Sequence, residues 1–184
     1  LDSGNQVRIS EGLRITDPAW HPDISKNSIA AVINHAGSNN LVLFSLNRHH
    51  FNHFDENNPP LSNSAEKYQG NSDDATLSFN DLTFLTDFDD GTQISQPAWS
   101  PQGNMIAFSL WHQGYQDIYL ISLDDDLQVH SIKPITLDRH TDISPSWSSD
   151  GRYLYFSSDR TGIFNLYAYN LEEEKLFRLT NVIT

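Results

Sequence analysis

Cysteine is absent from the 184-residue chain, which excludes disulfides, thiolate metal sites and a cysteine nucleophile. Its absence does not fix the compartment. Basic residues are scarce: 11 Lys and Arg stand against 24 Asp and Glu, a net charge of -13. Phosphate backbones and anionic membrane surfaces need clustered cations, so nucleic acid and lipid headgroups are poor partners. Basic protein patches or divalent cations suit the charge better, although acidity mostly signals solubility. Apolar residues reach only 38%. No run approaches the roughly 18 apolar residues of a membrane span, and no basic-then-apolar signal segment opens the chain. The first residue is Leu1, as expected of a processed product or a domain of a longer protein. The motifs of common enzyme classes are missing too: no G-x-S-x-G elbow, no H-E-x-x-H and no phosphate loop.

What is present is a repeat. Pro18-Ala19-Trp20-His21-Pro22, Pro97-Ala98-Trp99-Ser100-Pro101-Gln102-Gly103 and Pro145-Ser146-Trp147-Ser148-Ser149-Asp150-Gly151 are three versions of one turn. Each tryptophan precedes an apolar strand, Ile29 to Val32, Ile106 to Phe108 or Leu154 to Phe156. A loop with one glycine follows, at Gly37, Gly114 or Gly162. A third strand then aligns without gaps, beginning at Asn40, Asp117 or Asn165. Phe84-Leu85-Thr86, Ile135-Thr136 and Leu179-Thr180 close the units. Four short strands per unit, rich in aromatic and β-branched residues and repeating with a period in the forties, predict propeller blades. Helical solenoids lack support, since no segment sustains apolar residues at i, i+3 and i+4. A β-sandwich would not require a tryptophan turn to recur at matched positions.

The segments PAWSPQGNMIAFSLWHQGYQDIYLISL and SPSWSSDGRYLYFSSDRTGIFNLYAYNL resemble the TolB-like propeller repeat, P-x-W-S-P-D-G, strand, S-x-R-x-G, D-I-Y. The expected fold is therefore all-β: four-stranded antiparallel blades, about three of them present. This is part of a ring of about six to eight blades. The blades are expected at about 11–86, 87–136 and 137–180. The first departs most from the pattern, with two extra residues in its turn between Asp23 and Asn27. A polar insertion at 47–82 is expected to be partly disordered, being far longer than ordinary connections of about 4–6 residues. Val7-Arg8-Ile9-Ser10 reads as the closing strand of a preceding blade and 181–184 as the lead-in to another. Both ends thus read as cut in mid-array. A fragment is favoured over two chains completing one ring.

His49, His50 and His53, with Asp55 and Glu56, form the densest group of metal-ligand types. Their spacing matches no zinc signature, and a solvated loop is the favoured reading. Asp124-Asp125-Asp126 and Glu172-Glu173-Glu174 fall on the turn after the third strand, and such runs usually face water. No metal and no cofactor is expected. The opposite rim gathers Trp111, His112, Tyr115, Asp159, Arg160, His35 and His140. Aromatic and Arg residues are typical binding anchors. Trp111, His112 and Tyr115 depart from the family pattern and are the preferred contacts. Asp159 and Arg160 match a family position that ties loop to blade, so a scaffold role is favoured for them. Trp20, Trp99 and Trp147 recur and are read as packing between blades, and Asn40, Asp117 and Asn165 as hydrogen bonders within them.

The resemblance implies a non-catalytic, protein-binding propeller of a bacterial envelope or secreted protein, periplasmic or extracellular. Its partners would be proteins, with further blades from the same parent chain or a second copy closing the ring. The alternative is the substrate-gating propeller of a prolyl-oligopeptidase-like or tricorn-like serine peptidase whose catalytic residues lie elsewhere. A sugar lyase with channel histidines is disfavoured, because the histidine cluster falls on an outer loop.

Overall fold

The computed structural model describes residues 12–45, 81–112 and 114–183. Among these, twelve strands form three four-stranded antiparallel sheets. Strands β1 (Ile15–Trp20), β2 (Ser28–His35), β3 (Ser38–Ser45) and β4 (Thr83–Phe84) make the first blade. The second is β5 (Gln93–Trp99), β6 (Met105–His112), β7 (Tyr115–Leu123) and β8 (Val129–Pro134). The third is β9 (Asp142–Trp147), β10 (Tyr153–Ser158), β11 (Asn165–Asn170) and β12 (Lys175–Arg178). Neighbours in each sheet are neighbours in sequence, so each blade is a meander. The histidine cluster His49, His50, His53, Asp55 and Glu56, the strand expected at Val7 to Ser10 and most of the insertion lie outside the described residues.

The three Pro-x-Trp segments lie on the first strand of each blade, not only in the turn after it. In each, the residue before the proline has a positive φ: Asp17 at 51°, Gln96 at 57° and Ser144 at 59°. The register with the next strand shifts at the same point. A bulge of this kind bends the strand and re-aims its side chains. The following turn needs a left-handed residue, supplied by Gly103 and Gly151. In the first blade the longer turn holds a 3-10 segment, Ile24–Lys26, and Asn27 takes the left-handed role at φ 45°. Asn tolerates this conformation better than most residues, so the longer turn closes without glycine.

The closing strands end earlier than the sequence suggests. Leu85-Thr86, Ile135-Thr136 and Leu179-Thr180 lie just past β4, β8 and β12. Both amides of each pair converge on a single carbonyl, of Leu41, Ile118 or Leu166. The ladder cannot advance beyond that point.

Apolar layers lie between the blades. Ala30, Val32, Leu41, Leu43 and Leu85 of the first blade meet Ile94, Ile106, Phe108, Leu110 and Ile121 of the second. Ala107, Ile118 and Leu120 of the second meet Leu154, Phe156 and Tyr167 of the third. Each fully buried Val, Leu, Ile or Phe among them contributes about 1.5–3 kcal/mol. The middle of β6 is accordingly buried on both faces, whereas β10 alternates between buried and half-buried residues. Alternation with period two is what a strand shows when only one of its faces is covered.

Candidate binding rim

Three hydrogen-bonded ladders tie successive blades at their first strands. Trp99 Nε1 donates to the Ala19 carbonyl at 3.0 Å and Trp147 Nε1 to the Ala98 carbonyl at 2.9 Å. The bulge residues form the second ladder: Gln96 N donates to Asp17 Oδ2 at 3.2 Å, and Ser144 N to Gln96 Oε1 at 2.9 Å. The turns form the third, through His21 Nε2 and the Gly103 carbonyl at 3.0 Å, and Gln102 Nε2 and the Asp150 carbonyl at 3.1 Å. Trp20, which opens the tryptophan series, is 59% exposed. The tryptophans are legible in the sequence. The bulge ladder is not, because Asp17, Gln96 and Ser144 share no side-chain type.

One end of the blades gathers the turns β2–β3, β6–β7 and β10–β11 with the connections between blades. A repeated clamp holds it. The amides of Leu41, Ile118 and Leu166 each donate to a threonine hydroxyl, of Thr86, Thr136 and Thr180, at 2.9 Å. Asn40 and Asn165 accept from Thr86 and Thr180 in turn, and from the amides of Phe88 and Val182 in the connection that follows. Asp117 takes the same place in the second blade and accepts from Asp138 N at 3.1 Å. One side chain thus fixes both the start of a third strand and the connection to the next blade.

The expected site residues divide on this rim. Arg160 is a structural tie. Its Nη2 forks onto Asp142 at 3.0 and 2.9 Å and lies 3.5 Å from Asp138, while Nε donates to Ser158 Oγ. Its guanidinium also lies over the Tyr167 ring, 4.9 Å from the centroid. Asp159 accepts from Thr141 N at 2.8 Å, with His140 Nδ1 at 3.9 Å. His112 Nδ1 meets Thr92 Oγ1 at 3.0 Å and lies 3.6 Å from Asp90. Hydrogen bonds from Thr92 hold the Asp90 carboxyl below its ordinary range. Trp111 and Tyr115, on the same hairpin, are 43% and 42% exposed. Cross-strand partners share a face, so the pairing of Trp111 with Gln116 and of His112 with Tyr115 puts the two aromatics on opposite faces.

Sequence reasoning did not foresee the cluster around Arg160. Asp117, Asp138 and Asp142 bring carboxylate oxygens within 4.8 Å of one another, and Asp142 is fully buried. The cross-strand pair Asp142–Ser158 stands where the other blades pair Ile15 with Ile33 and Ile94 with Leu110. That replacement of an apolar pair was the available signal. Burial pushes the Asp117 carboxyl above its ordinary range, and the charges of Asp138 and Asp142 add to this. The positive charge in the cluster comes from Arg160, which engages the oxygens a hard cation would need. On the opposite end, Asp124 to Asp126 and Glu172 to Glu174 are exposed at the turns after β7 and β11. Asp124 Oδ1 accepts from the amides of Asp126 and Gln128.

Comparison with known proteins agrees with this architecture. The profile of the TolB beta propeller domain matches residues 83–182. A TolB homolog of Chlorobium luteolum is 39% identical over 66 residues, which cover 36% of this chain and 14% of that protein. The structure of TolB from Acinetobacter baumannii superposes with a TM-score of 0.61 at 23% identity, covering 92% of this chain and 33% of that one. A puromycin-hydrolyzing peptidase of Mycobacterium tuberculosis superposes with a TM-score of 0.64 at 18% identity, covering 93% and 22%. The chain spans 27% and 14% of the length of two curated relatives it matches. With the three-blade meander and the tryptophan ladder, the profile match establishes that the chain belongs to the TolB β-propeller family.

Proposed function

We propose that this chain is a non-catalytic, protein-binding propeller module of a bacterial envelope or secreted protein. Its contact surface is the rim around the β6–β7 hairpin. The observation that carries the reading is the contrast on that rim. Arg160, Asp159 and His112 are bonded into the scaffold, while Trp111 and Tyr115 present aromatic surface to solvent on the β6–β7 hairpin. Trp and Tyr, with Arg, are the side chains most often found to dominate protein interfaces. Similarity to TolB proteins supports an envelope location. The open face of the third blade, with Leu166 and Leu179 about half exposed where Leu41 and Leu85 of the first blade are buried, is suited to a further blade. That blade comes from the same parent chain or from a second copy.

Selection from a displayed peptide library tests the binding reading. Peptides that bind the wild type saturably are expected to lose at least about tenfold in affinity on W111A/Y115A. Undiminished binding by that variant counts against the rim.

The second reading is a substrate-gating segment of a serine peptidase. The similarity to the puromycin-hydrolyzing peptidase favours it, since its TM-score of 0.64 stands beside 0.61 for TolB. A G-x-S-x-G motif after a strand in the flanking coding sequence decides for it.

A further inference from the structure

Among the described residues, the junction of the second and third blades gathers three carboxylates around one guanidinium. Asp117 comes from the start of β7, Asp138 from the connection after β8, Asp142 from β9 and Arg160 from the turn after β10. Arg160 reaches Asp142 and Asp138, at 2.9 and 3.5 Å, and Asp117 is left to accept from the Asp138 amide. Tyr119 lies on the same strand, and its phenol is pushed up by burial and then by the Asp117 charge; Arg139 and His140 follow Asp138 in the connection, with His140 Nδ1 3.9 Å from Asp159. The sister blades carry an amide in this place. Asn40 Nδ2 donates to the Phe88 carbonyl at 2.9 Å, and Asn165 Nδ2 to Thr161 Oγ1 at 3.0 Å. An ionised carboxylate has no proton to donate, whereas a neutral carboxyl does.

We propose that this junction is proton-sensitive: one proton taken up by the Asp117–Asp138–Asp142–Arg160 cluster tightens the contact between the second and third blades, so that it holds better in mild acid than at neutral pH. The proton goes to Asp117, the carboxyl that Arg160 does not reach. Neutral Asp117 removes like-charge repulsion from Asp138 and Asp142 and restores a donor that the amides of the sister blades supply. The sign follows from linkage. The folded state binds this proton more tightly than the unfolded chain. The resulting stabilisation is complete below the ordinary Asp range and is lost as pH rises through the elevated folded value. This is the reverse of the usual loss of stability in acid.

The test compares unfolding midpoints in urea for the wild-type chain and Asp117→Asn between pH 4 and 8. Asn already occupies the equivalent position in both sister blades, so the variant is expected to fold. At pH 7–8 it unfolds at higher urea than the wild type, and the gap closes as pH falls toward 4. A gap that is constant with pH, a wild type that is the more stable at neutral pH, or a variant that does not fold overturns the proposal. A second readout does not depend on the variant. In a carbon-13 titration of the wild type, the Asp117 carboxyl takes up its proton at higher pH than Asp150, whose carboxyl the Ser148 hydroxyl holds low. Asp117 titrating with or below Asp150 overturns the proposal as well.

Discussion

An indole offers one hydrogen-bond donor and no acceptor, so a half-buried tryptophan between two sheets is satisfied only if a carbonyl of the neighbour is in reach. Trp99 and Trp147 meet this condition through Ala19 and Ala98. Replacing Trp147 by Phe keeps most of the packing and leaves the Ala98 carbonyl without that donor. We expect a loss of about 1–3 kcal/mol in a denaturant titration, against less than about 1 kcal/mol for the same change at the exposed Trp20. The pair Asp142–Arg160 carries higher stakes, because Asp142 is fully buried and a buried charge left alone is costly. Asp142→Ala is expected to destabilise by about 3 kcal/mol. Asp142→Ile/Ser158→Leu/Arg160→Leu, which rebuilds the apolar pair of the second blade and removes the cation that Asp142 and Ser158 hold, should recover most of that loss; recovery of none of it shows that the cluster cannot be replaced by packing alone.

The clamp between the third strand and the connection to the next blade is the element on which the rim depends. Thr86→Val and Thr136→Val each remove a hydroxyl that accepts a buried strand amide, and each should cost about 1–3 kcal/mol. Thr180→Val should cost less, because Leu166, whose amide it serves, lies on the exposed face. Equal losses at all three positions, measured by thermal unfolding, contradict this ranking. At this scale the sequence was informative where residue types repeat and silent where they do not. The Trp turns, the glycine loops and the Asn or Asp of the third strand recur in kind, so the four-strand blade was legible. The bulge residues Asp17, Gln96 and Ser144 play one backbone role with three side chains. The Arg160 cluster joins residues from two blades and a connection. Neither leaves a mark that a repeat comparison registers, and only the polar Asp142 in an apolar row hinted at the second. The placement of the rim residues was legible in part. Asp159 and Arg160 sit in a family motif, and the structure bonds both into the scaffold. His112 departs from the motif yet is bonded to Thr92, which no spacing in the sequence reveals.

For the whole molecule, the blades act as slices of a wheel joined face to face, with an apolar layer at each junction and hydrogen-bonded ladders along the first strands and the turns after them. Stability is then close to a sum of blade and junction contributions, and weakening one junction should loosen its two blades more than the distant one. The tryptophan turns tie neighbouring blades, and the wheel depends on them. Exchange of the indole Nε1 protons with solvent, followed residue by residue by nuclear magnetic resonance, tests it most directly. The structure predicts slow exchange at Trp99 and Trp147 and fast exchange at Trp20, by at least about a tenfold difference in rate. Indistinguishable rates at the three tryptophans would contradict it.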